Sequence, residues 1–137
     1  MILPTISLWQ PYASLIFARV KRFETRDFRP PAKYIGGDIG IHAAKRPHSQ
    51  CGVSEGLDAL SRETFGADYP TALPRGAFLG SVRLVSVHTV ESMRDDISEE
   101  DWLAGNWEDG RFCWLLDDEN YCPFPMKGNQ SWWGVAV

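Results

Sequence analysis

Residues 18–28 read ARVKRFETRDF. Lys21, Glu24 and Arg26 put an ammonium, a carboxylate and a guanidinium within six residues of one another, directly after the apolar run SLWQPYASLIF. On an extended segment Glu24 and Arg26 share one face with Arg22 and Phe28, and Phe23, Thr25 and Asp27 take the other. Glu24 and Arg26 are therefore expected side by side, and Lys21, just ahead of the strand, is expected close to them. Such an array is either a solvated ion-pair surface, worth at most about 1 kcal/mol, or the wall of a binding site. Two further segments carry suitable groups. Trp9 and Gln10 stand where a first strand hands over to a helix, and GIHAAKRPH sets His42, Lys45 and Arg46 at the end of another strand. An indole stacks on a nucleobase for roughly 1–3 kcal/mol. A glutamine amide reads an edge as both donor and acceptor, and Lys21 and Arg26 can hold an anion. Each residue also has a plain structural role: Trp9 as core, Gln10 as a helix cap, Lys45 and Arg46 as a wet strand end.

The same groups bound the chemistry. For Lys21 to act as a general base its pKa must fall from about 10.4 to about 7–8, which costs roughly 3–5 kcal/mol. The adjacent Glu24 carboxylate favours the ammonium instead. A charged Lys21–Glu24–Arg26 network suits binding and orientation better than attack on an amide. A metal-free ribonuclease is the alternative chemistry, with Glu24 taking a 2′-hydroxyl proton, Lys21 and Arg26 stabilising developing charge and His42 as the acid.

The elements that must position these residues follow from pattern. LPTISL suits a first strand, and Tyr12, Leu15, Ile16 and Arg19 are spaced for a helix over about 11–19, with Pro11 in its first turn. RFETRDF alternates as a strand that Pro30 and Pro31 end. Further expectations are a strand over 38–44, a helix over 53–64, a loop at YPTALPRG and a long strand over 77–90 with Gly80 as a bulge. Ser98 is placed to cap a short helix through Leu103. RFCWLLD and WWGVAV read as strands, DDEN as the turn after the first of them, and CPFPMKGNQS as a loop. Five or six strands with short helices and turn signals between them favour an α+β fold, with mainly antiparallel pairing closed into a small barrel. No phosphate-binding glycine loop is written in the chain.

At 137 residues, 44% hydrophobic and 23% charged, the chain is expected to fold as one globular domain, residues 1–137. No apolar run is long enough for a membrane helix, and the N-terminus lacks a signal-peptide pattern, so a cytoplasmic location is expected. Three cysteines, Cys51, Cys113 and Cys122, without a CxxC pair, predict buried free thiols rather than a disulfide framework. The histidines His42, His48 and His88 lack metal-ligand spacing, so neither a metal nor a cofactor is expected. The net charge of −4 is unevenly spread. Residues 1–50 carry eight Lys/Arg against three Asp/Glu, and residues 51–137 carry six against fifteen. A basic N-terminal stretch facing an acidic remainder predicts a polarised molecule with one cationic face.

In order, SLWQPYASLI, VKRFETR, IGIHAAKR and PMKGNQSWWGV resemble the ASCH domain, a member of the PUA-like superfamily of small β-barrels. Its signature is G-x-K-x-x-E-x-R, met here by Lys21, Glu24 and Arg26, with Arg19 in the glycine position. The resemblance spans nearly the whole chain. It implies a partly closed barrel whose cleft binds RNA, a nucleotide or a modified nucleoside, with Lys21, Glu24 and Arg26 as the groups for any catalysis and Trp9, Gln10, Arg19, His42, Lys45 and Lys127 as ligand contacts. Some relatives are amidohydrolases on acylated cytidine, and ribonuclease activity is known for others. The amidohydrolases use a threonine nucleophile at the position held here by Glu24. Thr25 lies next door but on the opposite strand face, so that nucleophile does not carry over, and Ser7 and Thr5 are the other candidates for it.

Overall fold

The computed structural model describes residues 1–137. Six strands form one sheet: β1 (Ile2–Leu8), β2 (Phe23–Arg26), β3 (Asp38–Ala43), β4 (Ala77–Thr89), β5 (Phe112–Pro125) and β6 (Trp133–Ala136), in the order β2-β5-β4-β3-β1-β6. Only β1 and β3 pair in parallel; every other pairing is antiparallel. Five short helices decorate the sheet: α1 (Tyr12–Phe17), α2 (Glu55–Phe65), α3 (Tyr69–Ala72), α4 (Val90–Met93) and α5 (Glu99–Leu103). The expected mixed α+β architecture is present. No helix is long and apolar enough to cross a membrane.

The expected closure into a barrel is not made by backbone. β6 covers only the first half of β1, pairing Ile2 through Thr5. Beyond Thr5 that edge of β1 faces β2 without a ladder, and the gap is crossed by a side chain: Arg26 Nη2 donates to the Ser7 carbonyl at 3.1 Å. The core on the inner face joins Ile6 and Leu8 to Ile39, Ile41, Leu79 and Val82, with Ala13 and Ile16 of α1 packed on top. Trp114 of β5 stacks on Trp132, just before β6, at 5.9 Å and 9°. The two ends of the sheet therefore curl towards each other.

Local sequence explains the ends of α1. Pro11 offers no capping side chain, so Gln10 supplies one. Its Oε1 accepts the Ser14 N–H at 3.0 Å, and its Nε2 donates to Ser14 Oγ and the Pro74 carbonyl, both at 2.8 Å. At the other end Val20 N–H bonds to Leu15 O and Arg19 N–H to Ile16 O. With Val20 packed against the Leu15 cluster, this is a Schellman closure. It needs a left-handed residue at position 19, and Arg19 has φ 63°. The glycine of the G-x-K-x-x-E-x-R pattern belongs at this turn. Arg19→Gly is expected to raise stability by about 0.5–1 kcal/mol by relieving the left-handed side chain. The ion pairs of the exposed Arg19 with Asp117 and Glu119 add little in water. Urea unfolding measures the change, and a loss of stability would assign those pairs the larger weight.

The expected turn at DDEN is instead the middle of β5. Between Ser81↔Asn120 and Arg83↔Asp117, two steps along β4 match three along β5, and Asp118 takes φ 53°. The turn-forming residues thus make a bulge, and the strand continues through it to Pro125. Likewise YPTALPRG contains one helical turn, α3. Cys113 and Cys122 lie on the same strand; Cys51 and Cys113 are buried free thiols, but Cys122 is exposed. Burial pushes the Cys113 thiol up to about 11.

Candidate nucleic-acid interface

α1 and the chain leaving it deliver the Lys-Glu-Arg array. Lys21 is 1% exposed. Its Nζ donates to the carbonyls of Phe23 and Ala104, both at 2.6 Å, and lies 3.4 Å from Glu24 Oε1. An ammonium has three N–H donors, and all three are used. Burial lowers the Lys21 pKa, and the Arg26 charge adds to that, while the Glu24 and Asp101 carboxylates push it back up. Desolvation thus outweighs the carboxylate that sequence reasoning placed first. Glu24 is also buried, which would raise its pKa, but the charges and hydrogen bonds of Lys21 and Arg26 hold its carboxyl below the usual range. Arg26 Nε donates to Glu24 Oε2 at 2.9 Å.

Asp101 completes this corner. Ser98 caps α5 by accepting the Asp101 N–H, and Asp101 Oδ1 accepts the N–H groups of Arg22 and Phe23 at 2.8 and 3.1 Å. The residue sits three positions after a serine cap, the spacing of a capping box, and that was the signal available for it. Thr25, on the opposite face as alternation requires, accepts the Asn106 N–H through its hydroxyl.

Two cavities meet here. The larger, about 1210 Å³, is lined by the cations Arg26, Lys45, Arg75 and Lys127 and by the aromatics Trp9, Phe28 and Trp132, and no Asp or Glu lines it. The smaller, about 460 Å³, includes Glu24, Thr25, Tyr12, Asn106 and Arg111. Ser7, Trp9 and Arg26 line both, so the Arg26–Ser7 link is their shared wall. Trp9 is 44% exposed, and the Arg46 guanidinium lies 4.3 Å from its ring centre.

His42 is buried in the wall of the larger cavity. Its Nε2 is 2.7 Å from the Met126 carbonyl, and its Nδ1 is 2.9 Å from Ser7 Oγ. A carbonyl only accepts, so Nε2 carries the proton and Nδ1 accepts from the Ser7 hydroxyl. Gly128 packs directly on the pair. A β-carbon there would overlap the His42 ring and come within 3.0 Å of Ser7 Oγ.

Of the residues chosen from sequence, Trp9, Arg26, His42, Lys45 and Lys127 line the larger cavity and Glu24 the smaller, with Lys21 immediately behind it. Gln10 and Arg19 stand elsewhere. Gln10 is fully buried in capping α1, and Arg19 points to Asp117 and Glu119 on the outside of β5. Ser7 was named only as an alternative nucleophile beside Thr5; Phe28, Arg75 and Trp132 were not chosen. Arg75 comes from the loop before β4, and Trp132 from the loop that returns to β6, so only the tertiary fold brings them in.

Comparison with known proteins agrees with this architecture. The ASCH protein of Zymomonas mobilis superposes with a TM-score of 0.53 at 17% identity, covering 89% of this chain and 72% of that one; a tyrosine-to-phenylalanine variant of it gives the same TM-score at 19% identity. The human protein Activating signal cointegrator 1 is 32% identical over 135 residues, 93% of this chain, and the mouse protein of that name is 34% identical over 136. The chain spans only 21% of the length of these two relatives. The family model described as "ASCH domain" matches residues 6–136, and the chain belongs to the ASCH domain family.

Proposed function

We propose that the larger cavity binds single-stranded RNA or a nucleotide, in a cytoplasm where Cys51, Cys113 and Cys122 remain thiols. The observation that carries this reading is the composition of the cavity: four cations and three aromatic rings with no carboxylate, on a protein of net charge −4. Cations at that density attract phosphates, and indole and phenyl faces accept any base by stacking. The Lys21–Glu24–Arg26 array supports this site as its scaffold. With every Lys21 donor engaged and Glu24 held ionised between two cations, neither is suited to shuttle a proton, which weighs against ribonuclease or amidohydrolase chemistry at those groups.

Fluorescence anisotropy with a short labelled oligoribonucleotide tests the reading. If all four cations meet phosphates, the logarithm of the association constant should fall with the logarithm of salt concentration with a slope of about −3, at roughly −0.7 per contact on single strands. Lys45→Ala and Lys127→Ala should each weaken binding and flatten the slope by about 0.7. Affinity indifferent to salt would remove phosphate contact as the main term.

A further inference from the structure

We propose that Ser7 and His42 form a nucleophile–base pair that hydrolyses carboxylic esters borne by a nucleotide or an RNA ribose. The ester's carrier, though not the dyad itself, rests on the reading of the larger cavity as a nucleic-acid site. Four observations support the pair. Ser7 Oγ is 2.9 Å from His42 Nδ1, within reach for proton transfer to a general base. The Met126 carbonyl, 2.7 Å from Nε2, fixes the tautomer that leaves Nδ1 free to accept a proton, the orienting role that a third group takes in such arrangements. The Ser7 backbone is anchored by Arg26 at its carbonyl. Both side chains line the cavity that holds the cations.

The covering loop fits the same chemistry. An added β-carbon at Gly128 would reach both members of the pair, and the Asn129 carbonyl, 3.5 Å from Ser7 Oγ, is a second and longer acceptor for the same hydroxyl proton. Gly128, Asn129 and Gln130, whose backbone N–H groups lie outside the strands, and the Lys127 ammonium line the same cavity. Donors of these kinds are what an oxyanion at the reacting carbon requires.

The steps balance without any metal or redox partner. Ser7 Oγ attacks the ester carbonyl carbon and its proton passes to His42 Nδ1. The tetrahedral intermediate collapses, the C–O bond to the ribose oxygen breaks, and the imidazolium gives its proton to the departing alkoxide. Water then attacks the acyl-Ser7 carbonyl with its proton going to Nδ1. The acid leaves and His42 returns the proton to Ser7. The imidazolium is steadied only by a carbonyl dipole, not by a carboxylate, so turnover should be slower than in a Ser-His-Asp enzyme.

The test uses a neutral fluorophosphonate, which needs no anion site, and intact-protein mass spectrometry with peptide mapping. The expected result is one adduct, on Ser7. It should be absent in Ser7→Ala, slowed at least about 100-fold in His42→Gln, and slowed in wild type by a saturating oligoribonucleotide. A ribose O-acetylated oligonucleotide should lose its acetyl group to wild type and not to Ser7→Ala. Absence of any Ser7 adduct on folded wild type would overturn the dyad, even if RNA still bound. A Ser7 adduct that RNA does not protect would overturn the nucleotide-ester substrate. Because both readouts are taken on wild type, misfolding of a variant could not rescue or sink the proposal.

Discussion

Glu24→Gln is expected to destabilise the fold by about 3–5 kcal/mol, the usual consequence of leaving a buried charge without its partner. Lys21 Nζ sits among two carbonyls and the Glu24 carboxylate with almost no contact with solvent. An amide at position 24 keeps the shape but removes the only anion touching that ammonium. It also turns one oxygen into an N–H donor facing either Lys21 or Arg26, both of which are donors themselves. A urea midpoint shift at unchanged m-value would report the loss. Adding Lys21→Met should recover some of it, because the surplus cation then disappears, although the Phe23 and Ala104 carbonyls lose a donor. A double variant as unstable as the sum of the two singles would show that the pair is not coupled. The pH dependence carries the same signature. Glu24 has its folded pKa below its unfolded value near 4.5, so its contribution is complete above that value and disappears as pH falls through the folded one. Wild type should therefore lose stability on acidification over that window more steeply than Glu24→Gln does.

Gly80→Ala should be at least as damaging, at about 4 kcal/mol or more. Gly80 has φ 146°, and a β-carbon there would collide with the Asn120 carbonyl oxygen and lie 3.0 Å from the Cys122 nitrogen, both backbone atoms of the paired strand. Backbone inside a six-stranded sheet cannot swing aside as a side chain tip can. Gly110→Ala is the matching control. It has φ 85° but nothing within 4 Å of the added carbon, so it isolates the conformational cost of about 1 kcal/mol. Thermal melts of the two variants separate collision from conformation, and equal losses would show that collision contributes nothing.

Gly80 also shows what could be read in the sequence. Valine-rich alternation marked the long strand β4 and an interrupting glycine marked its bulge, because both signals are local. The course of β5 through DDEN was not legible. Asp118, Glu119 and Asn120 have turn chemistry, and only the pairing with Ser81 and Arg83 converts that turn into a bulge. The site divides in the same way. Lys21, Glu24 and Arg26 are near one another in the chain, so their proximity was plain. Ser7 and His42 are 35 residues apart and meet through the parallel register of β1 and β3, which no periodicity announces. Gln10 had two readings in the sequence, a reader of ligand edges and a helix cap behind Pro11, and the structure takes the second: its amide is absorbed by Ser14 and Pro74.

The link from Arg26 to the Ser7 carbonyl has a mechanical meaning. Where two strands are joined by a ladder, their separation must break several hydrogen bonds cooperatively. Here a single guanidinium spans the seam, and it keeps Glu24 as a second partner when it lets go. Opening the seam therefore costs one hydrogen bond together with the Trp114–Trp132 stack that draws the same two ends together, and the wall between the two cavities would open with it. A chain molecule too long for either chamber could be threaded across both without any strand leaving the sheet.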